Sequence, residues 1–497
     1  MSYELAMQSK IPNEIQQYLP EKCSIIKLIG GHYYVYRYKA IKLQSGKWGT
    51  KTDSCIGKII PNIGFCPNKN YDITDETITI LEYGQYGLLY NITNEIIENL
   101  KACFPLEKAS QIYSYAMILY ANNFVHLDQV QSYFEQSWLS LEYKDFSSKM
   151  GKTALGNLLD DLGRKQLGVI KYQNNMIKNS SSQVAIDGHV IRSLSEENDL
   201  ADHGYKFTQI KGEQVNLITG YDINIGIPLF SKFYRGSDND KVTIENIFET
   251  FAFNSILFVI DRGFYSAHNL KLFSSDNNAY IVPVPSNTNI FKIAMSDLSF
   301  TSSFYYRAGK KHARVEYKKV EYEDSDYVVY VYRDIDENEK CRYNYRHQMD
   351  LGVSGYTIEG FENSKEFFGV YVLQTSKLDF TAEEVFDRYK NRWSIETYYQ
   401  YVKNKGDFNN LMFQDYYKEE GFAFILLIVG QIHHYLTKAV RRLGNNTISN
   451  HDALLMARRL KMSLRNNVWN LHNTRKKELD ILSNLGFIPK TCIKVNA

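Results

Sequence analysis

The sequence has little of what marks metal-cluster, secreted or membrane proteins. Its 497 residues include 6 cysteines and no CxxC pair, so neither a cysteine metal cluster nor a disulfide framework is expected. The N-terminus lacks the charged and then apolar pattern of a signal peptide. The longest apolar run, Phe422 to Val429, is far shorter than the roughly 20 residues that span a bilayer. We therefore expect a cytoplasmic protein with no membrane partner and a buried core helix at this run.

The chain also lacks a strong net charge, which is +2 at pH 7. The overall charge does not identify a nucleic-acid binder, and its distribution is more informative. Residues 431–497 contain 12 Lys or Arg against 3 Asp or Glu. Such a basic segment suits an acidic partner, most commonly DNA. A solvated helical surface is the alternative interpretation.

No internal repeat, low-complexity linker or proline-rich hinge divides the chain, so domain boundaries come from changes in pattern. Residues 1–100 form a β-rich region, because residues 24–60 alternate apolar and polar side chains between glycine-containing turns, which predicts a small antiparallel sheet. Its lysines could face a phosphate backbone or, equally, the solvent: Lys42, Lys47, Lys51 and Lys58. Residues 101–180 are helical. Residues 146–159 fit a helix-turn-helix loosely, and a plain helical bundle is favoured over a DNA reader.

A different pattern begins at Val184. Three strands, a helix, a strand, a helix and a strand follow in residues 181–290, the order expected of a mixed α/β sheet. In residues 291–365 the helical signal vanishes and segments alternate at period two, which predicts an antiparallel β insertion. Residues 366–430 return to a buried strand and then a long helix from Thr381. Residues 431–497 form a basic helical region.

Two aspartates lie in apolar strand segments. Asp187 is inside Val-Ala-Ile-Asp-Gly, and Asp261 ends Leu-Phe-Val-Ile-Asp. A buried carboxylate is costly unless it is paired or binds a cation. Each aspartate alone could have a structural role, and Asp261 could simply cap a helix after Gly263.

The segment from Thr381 to Phe408 predicts a long helix that starts with a capping box between Thr381 and Glu384. On a continuous helix with about 100° per residue, four of its polar side chains project within an arc of about 60°. These are Tyr389, Arg392, Glu396 and Lys403. Taken alone, such a stripe is usually the solvent face of an amphipathic helix.

The spacing Tyr389-x2-Arg392-x3-Glu396-x6-Lys403 resembles, at every position, the Tyr-Arg-Glu-Lys signature of bacterial insertion-sequence DDE transposases of the insertion-sequence-four type. Val-Ile-Asp261-Arg-Gly-Phe-Tyr-Ser looks like the second-Asp motif of that group, and Ile-Asp187-Gly looks like the first. The likeness covers about residues 184–430 and extends loosely to the N-terminal hairpin. It implies an α/β fold with a ribonuclease-H-like mixed sheet, helices on both faces, and a β insertion between the second Asp and the Glu.

The resemblance implies that Asp187, Asp261 and Glu396 are the catalytic carboxylates. They would hold two Mg²⁺ ions, with Mn²⁺ as a substitute, and Asp187 would bridge the two. Arg392 and Lys403 would contact phosphates of the cleaved strand, and Tyr389 would donate a hydrogen bond to a phosphate nearby.

Other residues receive weaker assignments. The insertion carries a basic edge for DNA, made of Arg307, Lys310, Lys311, Arg314, Lys318 and Lys319. If a base is flipped out of the DNA end, it must stack on an aromatic side chain of the protein. None of the 4 tryptophans lies between Asp261 and Arg392, so Phe304, Tyr305 or Tyr306 would have to serve. A structural role is favoured for His189 and Arg192. Asp240 receives no catalytic role, because Ser237 stands where the related loop usually has Asn.

The resemblance thus implies metal-dependent DNA cleavage and strand transfer at the ends of an insertion sequence in the bacterial cytoplasm. The partners would be double-stranded DNA, as terminal repeats and target, and a second copy of the chain in a synaptic homodimer. Two alternatives stay open at this point. One is an inactive, transposase-derived DNA-binding protein, and the other is a metal-dependent nuclease of the same fold that performs no strand transfer.

Overall fold

The computed structural model describes most of the chain. The described residues are 11–20, 24–42, 48–68, 71, 79–144, 146–193, 198–203, 213–238, 240–308, 311–322, 325–406, 410–411, 415–444, 448–465, 468–472, 475–489 and 493–494.

Within these ranges the chain forms eighteen strands. They are β1 (Ser24–Ile29), β2 (His32–Lys42), β3 (Trp48–Ile60), β4 (Gly64–Pro67), β5 (Ile80–Glu82), β6 (Gln183–Ser193), β7 (Gln214–Asp222), β8 (Ile227–Arg235), β9 (Leu257–Ile260), β10 (Ala279–Pro283), β11 (Ser302–Ala308), β12 (Lys311–Val320), β13 (Val328–Asp334), β14 (Val370–Thr375), β15 (Asn410–Leu411), β16 (Lys461–Arg465), β17 (Val468–His472) and β18 (Ile493–Lys494).

The same ranges contain eighteen α-helices and the short 3₁₀ turns Ser147–Lys149 and Arg262–Phe264. The helices are α1 (Asn13–Gln16), α2 (Gly84–Ile92), α3 (Asn94–Cys103), α4 (Leu106–Ala121), α5 (Val130–Glu135), α6 (Leu139–Glu142), α7 (Lys152–Arg164), α8 (Leu167–Lys178), α9 (Asp240–Thr250), α10 (Ala267–Phe273), α11 (Asn289–Met295), α12 (Ile335–Asp350), α13 (Ile358–Ser364), α14 (Ala382–Asn391), α15 (Trp393–Gly406), α16 (Tyr416–Arg442), α17 (Asn450–Arg458) and α18 (Lys476–Asn484).

The chain divides into two compact units. One combines Met1–Asn157 with Gln431–Ala497 and is called the terminal unit here, and the other, Leu158–Gly430, is called the central unit. In the terminal unit β1 to β4 form an antiparallel sheet, which confirms the sheet predicted from the alternation of residues 24–60. Its lysines Lys42, Lys51 and Lys58 are exposed, and Lys47 lies outside the described residues.

The rest of the terminal unit differs in two ways from the sequence interpretation. Besides the short α1, helices α2 and part of α3 lie inside the region predicted to be β-rich. The basic C-terminal region is not purely helical, because β16 and β17 pair antiparallel from Lys461↔His472 and extend a second sheet with β5 and β18. The segment considered for a helix-turn-helix holds the Ser147–Lys149 turn and the start of α7.

The central unit contains one large mixed sheet. As far as the described residues go, its order is β11-β12-β13-β14-β10-β9-β6-β7-β8, with β15 beside β6. β6, β7 and β8 are antiparallel neighbours, whereas β9 is parallel to β6 and β10 is parallel to β9. The predicted order of three strands, a helix, a strand, a helix and a strand is confirmed by β6, β7, β8, α9, β9, α10 and β10.

The predicted antiparallel β segment is confirmed in β11, β12 and β13, which pair antiparallel with one another. These strands extend the large sheet, because β13 pairs with β14. The prediction is wrong after β13, where α12 and α13 follow although no helix was predicted. Helix α12 escapes a search for apolar periodicity because Asn338 is the residue it buries. Asp334 caps the N-terminus of α12, and its side chain accepts a hydrogen bond from the Glu337 amide.

The long apolar helix is a core element. By length and composition alone, Tyr416–Arg442 could cross a membrane, but 72% of its most apolar window is buried inside the protein. Residues 423–430 are all buried, which confirms the core helix predicted at Phe422 to Val429. A helix that is apolar on every side is expected where packing surrounds it.

Candidate active site

Asp187 and Asp261 lie side by side on neighbouring strands. Strands β6 and β9 run parallel with Ile186 opposite Ile260, so the next residue on each strand is an aspartate. Neighbouring strands are about 4.8 Å apart, and the isoleucines before the aspartates are fully buried. The two carboxylates therefore emerge together where a fully apolar layer ends. The Gly188 amide donates a hydrogen bond to Asp187 Oδ1 at 2.9 Å.

The capping interpretation of Asp261 is wrong in this structure. Asp261 precedes the Arg262–Phe264 turn, but among the described residues its side chain makes no capping hydrogen bond there. The helix that follows, α10, is capped instead by Ser266, whose hydroxyl accepts a hydrogen bond from the Asn269 amide. The Asp261 carboxylate is thus not used to end or start a helix.

Glu396 reaches this region from a helix pair rather than from the single helix that was predicted. The capping box of Thr381 and Glu384 is confirmed at the start of α14, but α14 ends at Asn391 and α15 begins at Trp393. The break falls at Arg392, where the amide of Ile395 donates to the Arg392 carbonyl in a tightened turn. Arg392 itself keeps helical φ and ψ, −52° and −31°, and its contacts with Tyr389 and Glu396 agree with the shared face predicted for these three side chains.

Arg392 nevertheless joins the three acids electrostatically. Its Nη2 donates to Glu396 Oε1 at 2.7 Å. Burial lowers the pKa of the guanidinium, but the negative potential of Asp261, Asp187 and Glu396, together with Tyr389, raises it by more. Tyr389 lies beside the guanidinium, 5.9 Å from ring centroid to Cζ. Burial raises the pKa of the Tyr389 hydroxyl, and Asp261 raises it further.

One further residue, Tyr399, contacts the Asp187 strand. The Tyr399 hydroxyl, from α15, donates to the main-chain oxygen of Asp187 at 2.9 Å. The Tyr399 ring stacks on His189, with centroids 5.0 Å apart, a packing role for His189, while Arg192 is exposed. Tyr399 was missed by the sequence interpretation, although its place three residues after Glu396 was a usable signal.

The residue types suit a divalent cation, whereas the present side-chain arrangement does not yet form a complete site. Carboxylate oxygens are the hard ligands that Mg²⁺ and Mn²⁺ prefer. Across the described part of the chain, no three His, Cys, Asp or Glu side chains are grouped so that they could hold a metal ion as they stand. One reason is visible at Glu396, whose carboxylate is engaged by Arg392.

The other residues predicted to contact DNA differ in exposure and in their partners. Arg307 is exposed on β11. The side chains of Lys310, Lys311 and Lys403 lie outside what the structure describes, as does that of Asp240. The basic edge is partly wrong, because Lys318 is buried and donates to the Asp297 carbonyl. Its neighbours are paired with acids, in the ion pairs Arg314–Glu316 and Lys319–Glu321.

The three candidate stacking aromatics also differ from one another. Phe304 and Tyr306 pack edge-on against Phe386 of α14, with centroids 5.7 and 5.4 Å away. Tyr305, between them on β11, points to the other side of the strand and is 68% exposed. Of the three, Tyr305 is the side chain available to a partner.

A second acidic group in the central unit was not predicted. Glu419 lies in the first turn of α16, Glu420 follows it, and both are buried. Asn198 Nδ2 donates to Glu419 Oε1, and the Phe233 amide donates to Glu420 Oε1 at 2.9 Å. Burial raises the pKa of each carboxyl to about 7. These acids are held by neutral hydrogen-bond donors.

The part of the chain that contains Asp187, Asp261 and Glu396 matches a known protein family. The family model described as the transposase DDE domain matches residues 178–429, just over half of the chain. The chain belongs to this family. A DDE transposase domain is a phosphoryl-transfer enzyme domain of DNA transposition, and such enzymes generally use divalent metal ions.

Other comparisons add little to this assignment. A cryo-EM structure of the piggyBac transposase synaptic complex with hairpin DNA is similar at 10% sequence identity and a TM-score of 0.39. The match covers 76% of this chain and 80% of that chain. A search of curated proteins gave no match. The family assignment of this DDE transposase therefore depends on the domain match.

Proposed function

We propose that this chain is a transposase of the insertion-sequence-four type, which cleaves the ends of its own element and joins them to target DNA. The observation that carries the proposal is the placement of Asp187 and Asp261 directly after Ile186 and Ile260, which are paired on adjacent parallel strands, with the Glu396–Arg392 ion pair within their electrostatic reach. Three acids from two adjacent strands and one helix supply oxygen ligands without any Cys or His. The Tyr-Arg-Glu-Lys spacing around Glu396 supports the insertion-sequence-four assignment.

We propose that the core is ribonuclease-H-like. The support is the arrangement of five strands: three antiparallel neighbours, β8, β7 and β6, followed by β9 and β10, which run parallel to β6. Asp187 lies on the middle strand of this order and Asp261 at the end of its parallel neighbour. A ligand at the ends of adjacent parallel strands is the common position in open α/β sheets.

Asp187, Asp261 and Glu396 are proposed to hold two Mg²⁺ ions, for which Mn²⁺ substitutes. Such ions, when bound, promote attack on a phosphodiester and neutralise charge at phosphorus. The part of the protein is to present the three carboxylates from two adjacent strands and one helix. Asp187 is the proposed bridging ligand, with Asp261 and Glu396 each completing one site. Glu396 Oε1 accepts a hydrogen bond from Arg392 in this structure, and we propose that Glu396 turns from Arg392 toward the aspartates when the ions bind.

Arg392, once released from Glu396, is proposed to bind a phosphate of the cleaved strand. Among the described residues its Nε is buried without a hydrogen-bond acceptor, which leaves a donor available to an anion. Tyr389 is proposed to donate to a neighbouring phosphate. Further phosphate contacts are proposed for Lys403, Arg307, Lys310 and Lys311. The partners are the terminal repeats and target DNA, bound by a homodimer that holds both ends, in the bacterial cytoplasm.

Joining of a labelled element end to a target plasmid in Mg²⁺ tests this function. We expect cleaved ends and joined products from the native chain and neither from Glu396→Gln. Cleavage without joining would support a nuclease of the same fold instead. Binding of the end with no cleavage in Mg²⁺ or Mn²⁺ would support an inactive DNA-binding relative.

A further inference from the structure

Helix α15 turns one side toward strand β6, and Glu396 lies at the border of that side. The buried residues of the helix are Ile395, Tyr398, Tyr399 and Val402, which recur at the spacing of one helix face. Glu396 is part of the first turn of α15 and is three residues before Tyr399, so the two side chains are neighbours on the helix surface.

Tyr399 connects this helix to the residue that holds the first aspartate. Its hydroxyl is 2.9 Å from the main-chain oxygen of Asp187 and 3.4 Å from that of Leu217 on β7. Its ring lies on the His189 ring at an interplanar angle of 25°. Asp187 and His189 are two apart on a strand and so face the same side of the sheet. Tyr399 is therefore held at its hydroxyl by the Asp187 carbonyl and at its ring by His189.

The need for such a connection follows from the break at Arg392. Arg392 has helical φ and ψ, but the amide of Ile395 donates to its carbonyl from three residues away rather than four, so the regular helical hydrogen-bond ladder does not hold the start of α15. The position of Glu396 depends on how the first turns of α15 are held against the sheet. The Tyr399 hydroxyl is the group that makes a direct hydrogen bond from these turns to Asp187 itself.

We propose that Tyr399 is a positioning residue, whose hydroxyl sets the distance between the Glu396 and Asp187 carboxylates by fixing α15 to the main chain of β6. The inference rests on the proposed function in one respect, the assignment of divalent ions to these carboxylates. Loss of the hydroxyl leaves every carboxylate chemically intact and displaces one relative to another. The affected quantity is therefore the affinity for divalent ions, and the affinity for DNA is unchanged.

The test compares two full-length variants, Tyr399→Phe and Tyr398→Phe. Tyr398 is the adjacent buried tyrosine of α15, and its ring packs on Tyr221, 5.5 Å away. Three quantities are measured: the rise in Tm with Mn²⁺ in the absence of DNA, the Mg²⁺ dependence of end cleavage, and the affinity for an element end in EDTA. We expect Tyr399→Phe to need about tenfold more ion in both metal titrations. Saturating ion should restore its cleavage, and its DNA affinity should stay within about twofold.

Each outcome decides the inference. Equal metal requirements for the two variants would overturn it, because the hydroxyl would then be only structural. A raised metal requirement with unchanged DNA affinity would support it. A native chain that does not cleave DNA, while Mn²⁺ still stabilises it more than Tyr399→Phe, would refute the proposed function and keep the inference. If Mn²⁺ stabilises neither protein and the native chain does not cleave, both are wrong.

Discussion

The central unit contains two groups of acids that are held in different ways. Asp187, Asp261 and Glu396 surround a cation, Arg392, and their carboxylates are only half-buried. Glu419 and Glu420 are buried and accept hydrogen bonds from an amide side chain and a main-chain amide. A carboxylate beside a cation keeps its charge, whereas burial among neutral groups favours the protonated form. The second group is therefore a structural element near its titration point, whereas divalent-ion binding is proposed for the first.

The largest expected difference between the groups is in catalysis. Asp187→Asn, Asp261→Asn or Glu396→Gln should each lower end cleavage on the order of 10³-fold, because an amide cannot replace a carboxylate that holds a divalent ion. Glu419→Gln and Glu420→Gln should leave cleavage within about threefold, since an amide resembles a protonated carboxyl. Single-turnover cleavage in Mg²⁺ measures both sets. Similar losses in the two sets would contradict the comparison.

Arg392 should show the next largest effect. Arg392→Gln removes the cation that the three carboxylates share and the proposed phosphate contact, so cleavage should fall about 10- to 100-fold. Arg392→Lys should recover little, because an ammonium does not reproduce the planar donor set. End cleavage and end affinity at several salt concentrations are the measurements. Full activity of Arg392→Gln would show that the guanidinium is only a counter-charge.

The buried group should affect stability instead. Glu420→Ala leaves the Phe233 amide without its acceptor and should lower the free energy of unfolding by about 1–3 kcal/mol. Glu420→Gln is the matched control, because its side-chain oxygen can accept the same hydrogen bond. Urea unfolding of the native chain and both variants gives the values. Equal losses for Ala and Gln would mean that the charge, and not the hydrogen bond, stabilises this site.

The two groups of acids should also differ, by a smaller amount, in how they make the free energy of unfolding depend on pH. The pKa of Glu419 and of Glu420 is raised from the ordinary 4.5 to about 7 by burial. Between these pH values the folded chain binds more protons than the unfolded chain, so the free energy of unfolding falls as pH rises. From pH 5 to 7.5 each carboxyl accounts for a loss of about 2 kcal/mol, so the native chain should lose about 2 kcal/mol relative to the Glu420→Gln variant. Parallel pH curves for the two proteins would show that Glu420 stays ionised.

The comparison also shows what a sequence can predict here. Asp187 and Asp261 were found because each follows a fully apolar run that forms a buried strand, and Glu396 because its partners recur at fixed spacings. The buried pair gave no such signal, since two acids at the start of a helix usually face solvent there. Their burial follows from α16 being surrounded on all sides, which depends on residues distant in sequence such as Asn198 and Phe233.

Other features were unpredictable for similar reasons. The joining of β13 to β14, which makes one sheet of the core and the proposed insertion, is a pairing between strands separated by two helices. The break at Arg392 has no proline or glycine to announce it. The hydrogen bond from Tyr399 goes to a main-chain oxygen, an acceptor that every residue offers. Lys318 is buried although its neighbours on β12 suggested a basic surface.

The most direct test of the central claim is anomalous diffraction from crystals of the chain with an element end and Mn²⁺. We predict two Mn²⁺ peaks about 3.5–4 Å apart, with Asp187 between them, Asp261 and Glu396 on either side, and Arg392 turned from Glu396 to a phosphate. Mn²⁺ bound elsewhere, or no Mn²⁺ at these carboxylates while the Arg392–Glu396 pair persists on DNA, would contradict it.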